Sequence, residues 1–148
     1  MNAIGTIKEI LSSKGSTVWT ISPYATVFEA IKLMADKNIG AVLVTEKNRL
    51  LGVLTERDYT RKVALRGKTS KQLCVKDILS EQFIHVTPDY TVEDCMRLMT
   101  KNRVRHLPVL LGSEIVGVVS IGDLVNHIIT AQTHAIHQLE TYIAGYPA

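Results

Sequence analysis

Two short segments of the sequence place a hydroxyl side chain three residues before an aspartate, directly after an apolar run that contains a glycine. They are Thr55 to Asp58 and Ser120 to Asp123. Where a strand runs into a helix, residues i and i+3 lie on one side of the first helical turn, so the hydroxyl and the carboxylate can face the same cleft. A carboxylate there can accept both hydroxyls of a ribose, and the hydroxyl and the free helix N–H groups can meet phosphate.

A single Ser/Thr-x-x-Asp pattern is usually an ordinary helix cap. Here the pattern stands at the same place in two copies of an internal repeat, which favours a ligand site. Displacing the sequence by 65 residues brings Ser22 onto Thr87, SPYATVFEAIKLM onto TPDYTVEDCMRLM and LLGVLTERD onto IVGVVSIGD, without a gap.

The elements that position these residues are predicted to be the same in both copies. Each copy opens with a strand that ends at Ser-Pro or Thr-Pro, followed by a helix that starts at a capping-box pattern, Thr26 with Glu29 or Thr91 with Asp94. Two strands and a second helix follow. The predicted strands are 18–21, 41–44 and 50–54, and 83–86, 107–110 and 114–119. The fold class is therefore α/β (α+β), with two β-α-β-β-α repeats.

The predicted organisation has five parts. These are an N-terminal helix or lead-in (1–15), the first repeat (16–67), a linker with a short helix (68–80), the second repeat (81–130) and a C-terminal helix extension (131–148). The last helix, from about Asp123 to Ile143, would be on the order of 30 Å long. Because this outreaches a small β-α-β unit, we expect its apolar end to pack on another subunit, which predicts a homodimer. Its apolar residues are Val125, Ile128, Ile129, Ile136, Leu139 and Ile143.

Composition excludes several classes of protein. The chain has 148 residues, 46% hydrophobic and 21% charged, and its apolar runs are far shorter than the ~20 residues of a membrane span. The start, MNAIGTIKEI, lacks the features of a signal peptide, so a cytoplasmic location is expected. With only Cys74 and Cys95, we expect reduced thiols, with Cys95 facing the core.

Catalysis, metal binding and nucleic-acid binding are not predicted. The sequence contains no HExxH, GxSxG, P-loop or GxGxxG motif. His127, His134 and His137 could share a helix face, but exposed helix histidines are common and no metal is predicted. The segment 57–71 is basic, yet the net charge is +3 and aromatic residues are only 5%, which leaves few stacking platforms for nucleic acid.

The segments TERDYTRKV, VSIGDLV and RHLPVL, together with the two Ser/Thr-Pro strand ends, resemble a tandem pair of CBS domains, also called a Bateman module. The resemblance covers nearly the whole chain and is closest to small stand-alone CBS-pair proteins. It implies a pseudo-twofold pair of β-α-β-β-α units with two clefts that bind AMP, ADP, ATP, NAD(H) or S-adenosylmethionine. It also implies that pairs associate into dimers.

The resemblance carries roles onto matching positions of this sequence. Asp58 and Asp123 would hold ribose, Thr55 and Ser120 would hold phosphate or ribose oxygens, and Ser22 and Thr87 would border the clefts. The adenine slot would be formed by Ile21, Ala41, Val42, Val86, Leu107 and Pro108.

The two copies differ in their basic residues. Arg57 of the first copy is replaced by Gly122, and Gly40-Ala41 become Arg105-His106 in the second. Since a guanidinium suits phosphate, our hypothesis is that Arg57 and Arg105 serve anions, with His106 next to Arg105 as a further candidate ligand residue. The sequence thus predicts a regulatory module that senses an adenine nucleotide, in one or both clefts, and signals to another protein. The alternative is a ligand-free interaction or oligomerisation module.

Overall fold

The computed structural model of the chain describes residues 5–80 and 82–144. The predicted lead-in and C-terminal extension therefore extend beyond the described residues at 1–4 and 145–148, as does Glu81, the first residue of the predicted second repeat.

The described residues form an α+β fold, as predicted. The order of elements is α1 (Ile7–Lys14), β1 (Thr20–Ile21), α2 (Val27–Lys37), β2 (Ala41–Glu46), β3 (Arg49–Thr55), α3 (Glu56–Tyr59), a π-helical turn (Thr60–Ala64), α4 (Val75–Ile78), α5 (Val92–Asn102), β4 (His106–Leu111), β5 (Glu114–Ser120) and α6 (Ile121–Ile143).

The first repeat follows the predicted β-α-β-β-α order, but the second repeat lacks the predicted strand at 83–86. Within the described residues only Val86 makes a single β-bridge there. A strand needs a continued ladder of main-chain hydrogen bonds. Phe83 instead packs its side chain against the cluster of Leu43, Leu50 and Leu110. The apolar pattern of this run therefore reflects packing of side chains and not strand pairing.

The predicted capping boxes start both middle helices. The Thr26 hydroxyl accepts a hydrogen bond from the Glu29 N–H at 3.1 Å, and the Glu29 carboxylate accepts one from the Thr26 N–H at 3.2 Å. Thr91 and Asp94 make the same pair of bonds at 3.0 and 3.2 Å. Each box satisfies two N–H groups that a helix end otherwise leaves unpaired, so both predictions are confirmed.

One compact unit of the chain, the sheet unit, comprises the described residues 16–80, 82–85 and 108–118. Its three-stranded sheet has the order β1-β2-β3, with β1 parallel and β3 antiparallel to β2. The helix α2 packs its apolar stripe on this sheet. The main core cluster is Val27, Ala30, Met34, Val42, Val44, Leu54, Val63, Val75 and Ile78.

The second compact unit, the helical unit, comprises described residues 5–15, 86–107 and 119–144. The helix α1 is docked onto the segment before α5 by main-chain hydrogen bonds. The Ile7 N–H donates to the Tyr90 carbonyl and the Lys8 N–H to the Pro88 carbonyl, both at 2.9 Å. The side chains of Ile7 and Ile10, on the same helix, are buried in the core. A helix distant in sequence is thereby fixed beside the segment that precedes α5.

Cys95 lies in the core of the helical unit, as predicted. It is fully buried, and both Cys74 and Cys95 are free thiols. Burial, followed by the nearby charge of Asp94, raises the pKa of the Cys95 thiol to about 12. Because the thiolate is the reactive form, Cys95 serves as a small apolar core residue.

Candidate functional site

The first candidate site lies where β3 ends and α3 begins. Thr55 is the N-cap of α3, and its hydroxyl accepts a hydrogen bond from the Asp58 N–H at 3.1 Å. The Asp58 Oδ2 accepts from the Thr55 N–H at 2.9 Å and from the Thr55 hydroxyl at 3.1 Å. The sheet fixes this corner, because Ala41 pairs with Thr55 and the Glu56 N–H donates to the Gly40 carbonyl at 3.1 Å.

Lys62 adds a positive charge to the first site. Its Nζ lies 3.8 Å from Asp58 Oδ1 and donates a hydrogen bond to the Ile78 carbonyl at 2.9 Å. In the sequence, Lys62 is one of several basic residues of the segment 57–71 and has no feature of its own that marks it as a site residue. The signal that could have found it is the i, i+4 spacing from Asp58, which places two side chains on one helix face.

The second candidate site repeats this geometry where β5 ends and α6 begins. The Ser120 hydroxyl accepts from the Asp123 N–H at 3.1 Å, and Asp123 Oδ2 accepts from the Ser120 N–H at 2.8 Å. The Ile121 N–H donates to the Arg105 carbonyl at 2.8 Å. Arg105 and Ile121 are the residues that the 65-residue offset places on Gly40 and Glu56. The repeat in sequence is therefore also a repeat of hydrogen bonds.

Lys14 pairs with the carboxylate of the second site. Its Nζ donates to Asp123 Oδ2 at 2.6 Å, and the two side chains are 36% and 24% exposed. Burial by itself would raise the pKa of Asp123, but the hydrogen bonds and charge of Lys14, with the bonds from Ser120, hold it below its ordinary value. Sequence reasoning missed Lys14, because nothing local links it to a partner 109 residues away.

The capping hydrogen bonds alone do not distinguish these two sites. Thr26 and Thr91 cap their helices in the same way, with exposed carboxylates. The candidate sites differ because each cap lies at the end of a strand, its carboxylate is partly buried and a lysine lies against that carboxylate. Asp58 and Asp123 accept the cap hydrogen bonds at Oδ2, so these bonds do not use Oδ1 of either carboxylate.

The other predicted site residues divide by exposure. Arg57, Arg105 and Ser22 are exposed, whereas Thr87 and His106 are half-buried. The Ser22 hydroxyl accepts a hydrogen bond from the Tyr24 N–H at 3.1 Å, and the Thr87 hydroxyl donates to Asp89 Oδ1. The roles of these residues toward a ligand stay predictions.

Most residues of the predicted adenine slot have buried side chains. Ile21 and Ala41 are half-buried, but the side chains of Val42, Val86 and Leu107 are at most 1% exposed, and Pro108 is also buried. Buried side chains are held by their packing, so these positions present mainly main-chain groups. Hydrogen bonds from main-chain N–H and C=O groups can still read the edge of a base.

The described part of the chain gives no sign of a metal site or a membrane span. Within residues 5–80 and 82–144, no three His, Cys, Asp or Glu side chains are grouped as metal ligands, and no helix has the length and apolar character needed to cross a bilayer. His134 and His137 are exposed on α6, and His127 is half-buried.

The sequence model of the CBS-domain family matches residues 7–65 and 75–130. The chain therefore belongs to the CBS-domain family and carries two CBS domains, as the resemblance predicted. Among curated relatives, it is similar to the CBS domain-containing protein CBSX3, mitochondrial, from Arabidopsis thaliana. The two are 39% identical over 95% of this chain and 72% of the relative.

Solved structures agree with this assignment. A protein with CBS domains from Burkholderia ambifaria superposes with a TM-score of 0.82 at 44% identity, over 84% of this chain and 94% of that chain. A more distant structure is the CBS domain pair of the protein MJ0100 in complex with 5′-methylthioadenosine and S-adenosyl-L-methionine. It has a TM-score of 0.72 at 22% identity, over 82% of this chain and 93% of that chain, and shares the fold.

Proposed function

We propose that this chain is a regulatory module that binds an adenosine-containing ligand at its two strand-end caps and transmits the binding to a partner protein. The observation that carries the proposal is the repeated arrangement of hydroxyl, aspartate and lysine at Thr55, Asp58 and Lys62 and at Ser120, Asp123 and Lys14. The same capping hydrogen bonds are present at both sites, which is expected if each site binds the same class of ligand.

Each part of the arrangement matches a part of such a ligand. A carboxylate oxygen left over from the cap can accept the hydroxyls of a ribose. The lysine ammonium adds a point charge that attracts phosphate. At the second site, the N-terminus of the 23-residue helix α6 adds its positive dipole end. The pairing of Lys14 with Asp123 lowers the pKa of Asp123, which keeps its carboxylate ionised as an acceptor.

The comparisons support the ligand class at the level of the fold. A CBS domain pair with this fold holds 5′-methylthioadenosine and S-adenosyl-L-methionine, and both compounds contain adenosine. For this chain we propose an adenine nucleotide, AMP, ADP, ATP or NAD(H), or S-adenosylmethionine. The protein would act by linkage and without catalysis, since a ligand that prefers one conformation shifts the population toward it.

The helix α6 supports a second candidate function, that of an oligomerisation module. Its exposed face carries an apolar stripe, which we define as Val125, Ile129, Ile136, Leu139 and Ile143, with exposed fractions from 41% to 75%. These residues fall within one face of a helix with 3.6 residues per turn.

We propose that a second copy of this chain covers the apolar stripe. Between Asp123 and Glu140 the helix sequence has no Asp, Glu, Lys or Arg. Two copies can therefore pack side by side along most of the stripe without repulsion between like charges. Such a contact would join the ligand sites of two subunits through α6, whose first turn contains Asp123.

The proposed function is tested by screening nucleotide-free protein against a panel of ligands. Thermal shift and titration calorimetry would use AMP, ADP, ATP, NAD(H) and S-adenosylmethionine, with GTP and GMP as controls. A ligand that binds the native state raises its apparent stability, by about 2.7 kcal/mol at 100 times the dissociation constant. Saturable binding of an adenosyl compound supports the sensor. If no compound of the panel binds, the sensor function is overturned and the oligomerisation module remains as the proposed function.

A further inference from the structure

A basic pocket adjoins the first candidate site within the sheet unit. Its volume is about 220 Å³, and it is lined by Lys62, Arg66, Lys68, Asp77, Ile78 and Leu79. A site for a whole small molecule is usually about 300–1,000 Å³. The pocket is therefore sized for part of a ligand, and a short phosphate chain is of that size.

The main chain folds back on itself to bring the basic residues together. After the π-helical turn, the N–H groups of Arg66 and Lys68 both donate to the Val63 carbonyl, at 3.2 and 3.0 Å, and Gly67 takes a φ of +67°. Glycine adopts this left-handed conformation without a steric cost. The tight turn places Arg66 and Lys68 on either side of one glycine, at the same pocket as Lys62.

Positive charge dominates the lining of the pocket. Arg66, Lys68 and Lys62 face a single lining carboxylate, that of Asp77, whose Oδ2 already accepts the Cys74 N–H at 2.9 Å. Within residues 5–80 and 82–144, neither Arg66 nor Lys68 makes an ion pair. In the described part of the protein these two cations are therefore available to an anionic ligand group.

Lys62 connects the pocket to the first candidate site. Lys62 lines the pocket, and its ammonium lies 3.8 Å from Asp58 Oδ1 and donates a hydrogen bond to the Ile78 carbonyl. A ligand whose ribose lies on Asp58 and whose phosphates extend past Lys62 would reach Arg66 and Lys68. The guanidinium of Arg66 can bind phosphate oxygens with two donors at once, and the lysines act as point charges.

We propose that this pocket binds the terminal phosphates of a nucleoside di- or triphosphate at the first site. The inference rests on the proposed function and narrows it. AMP has too short a phosphate chain to fill the pocket, and S-adenosylmethionine brings a cationic sulfonium that the lysines repel. The 65-residue offset places Arg66 on Ala131 and Lys68 on Thr133. Neither counterpart carries a charge, so the preference belongs to the first site alone.

The test uses the double variant Arg66→Ala/Lys68→Ala. Both side chains are exposed, so their removal leaves the core unchanged. The matched control is Lys32→Ala/Arg61→Ala, which removes two exposed charges of the sheet unit that do not line the pocket. Calorimetry would measure the dissociation constants of ATP, AMP and inorganic tripolyphosphate for wild type and for both variants.

The expected result is that Arg66→Ala/Lys68→Ala weakens binding of ATP and tripolyphosphate at the first site by about tenfold or more, while the second site binds ATP as in wild type. AMP should change less than about twofold, and the control should bind all three as wild type does. Equal losses for AMP and ATP at the first site, or wild-type ATP binding at both sites of the double variant, would overturn the inference while adenine binding stands. If tripolyphosphate binds wild type and loses affinity in the double variant, but no adenine nucleotide binds, the pocket is upheld and the proposed function fails.

Discussion

Lys14 Nζ lies 2.6 Å from Asp123 Oδ2, although 109 residues separate them in the sequence. The contact joins the last turn of α1 to the first turn of α6 within the helical unit. It places the N-terminal helix directly on the carboxylate that we propose for ribose binding. The last turn of α1 therefore lies beside the second candidate site.

We predict that Lys14→Met destabilises the protein at neutral pH by up to about 1 kcal/mol, the usual limit for a partly exposed ion pair. The pKa of folded Asp123 lies below its ordinary 3.8. The pair therefore stabilises the fold above the unfolded pKa, and this stabilisation is lost as the pH falls through the folded pKa.

Urea unfolding of wild type and Lys14→Met at pH 7 and at about pH 3 measures this effect. The difference in free energy of unfolding between wild type and Lys14→Met should be smaller at the lower pH. Lys8→Met removes an exposed lysine from the same helix and serves as the control. A gap that stays constant with pH would show that the Lys14 stem, and not its charge, stabilises the fold.

We predict that Asp58→Asn and Asp123→Asn each weaken nucleotide binding at their own site by about tenfold or more, because a neutral amide accepts a ribose hydroxyl less strongly than a carboxylate does. Calorimetric titration with the ligand found in the screen measures both affinity and stoichiometry. Asp94→Asn is the matched control, since Asp94 makes the same cap with Thr91 and pairs with no lysine among the described residues. Wild-type binding by both site variants would remove the ribose role.

We predict that Gly52→Ala destabilises the sheet unit by about 1–3 kcal/mol, the usual cost of overpacking. A Cβ at this position would lie 2.9 Å from a Leu79 methyl and 3.1 Å from the Ser80 carbonyl oxygen. Gly122→Ala is the control, because the nearest atom to its Cβ is the Ser120 hydroxyl oxygen at 3.6 Å. Thermal unfolding should show a lower midpoint for Gly52→Ala only. Equal midpoints would mean that Leu79 and Ser80 move away from the added methyl group without a loss of stability.

We predict that Ile136→Lys breaks self-association through the apolar stripe of α6. A lysine there would bring like charges together in a symmetric contact and leave apolar partners exposed. Light scattering coupled to size exclusion would report the mass of wild type and variant. His134→Lys adds the same charge to another face of α6 and should leave the mass unchanged. A monomeric wild type would contradict the proposed contact.

The local features of this protein follow from its amino-acid sequence. The repeat, the capping boxes, the α+β order and the joining of each Ser/Thr-x-x-Asp motif to a strand end all depend on residues close together in the chain. Helix caps and strand patterns are set by spacing of a few residues. For the same reason the strand end at Thr55 and the burial of Cys95 could be predicted without the structure.

Which residues distant in the sequence come into contact is set by the tertiary structure. It placed Lys14 on Asp123, brought Lys62 and Asp77 to one pocket, and buried the side chains of Val42 and other residues expected in the adenine slot. It also left 83–86 without a ladder partner beyond the single bridge at Val86. Such contacts depend on how whole elements pack, and packing joins residues that carry no shared local pattern.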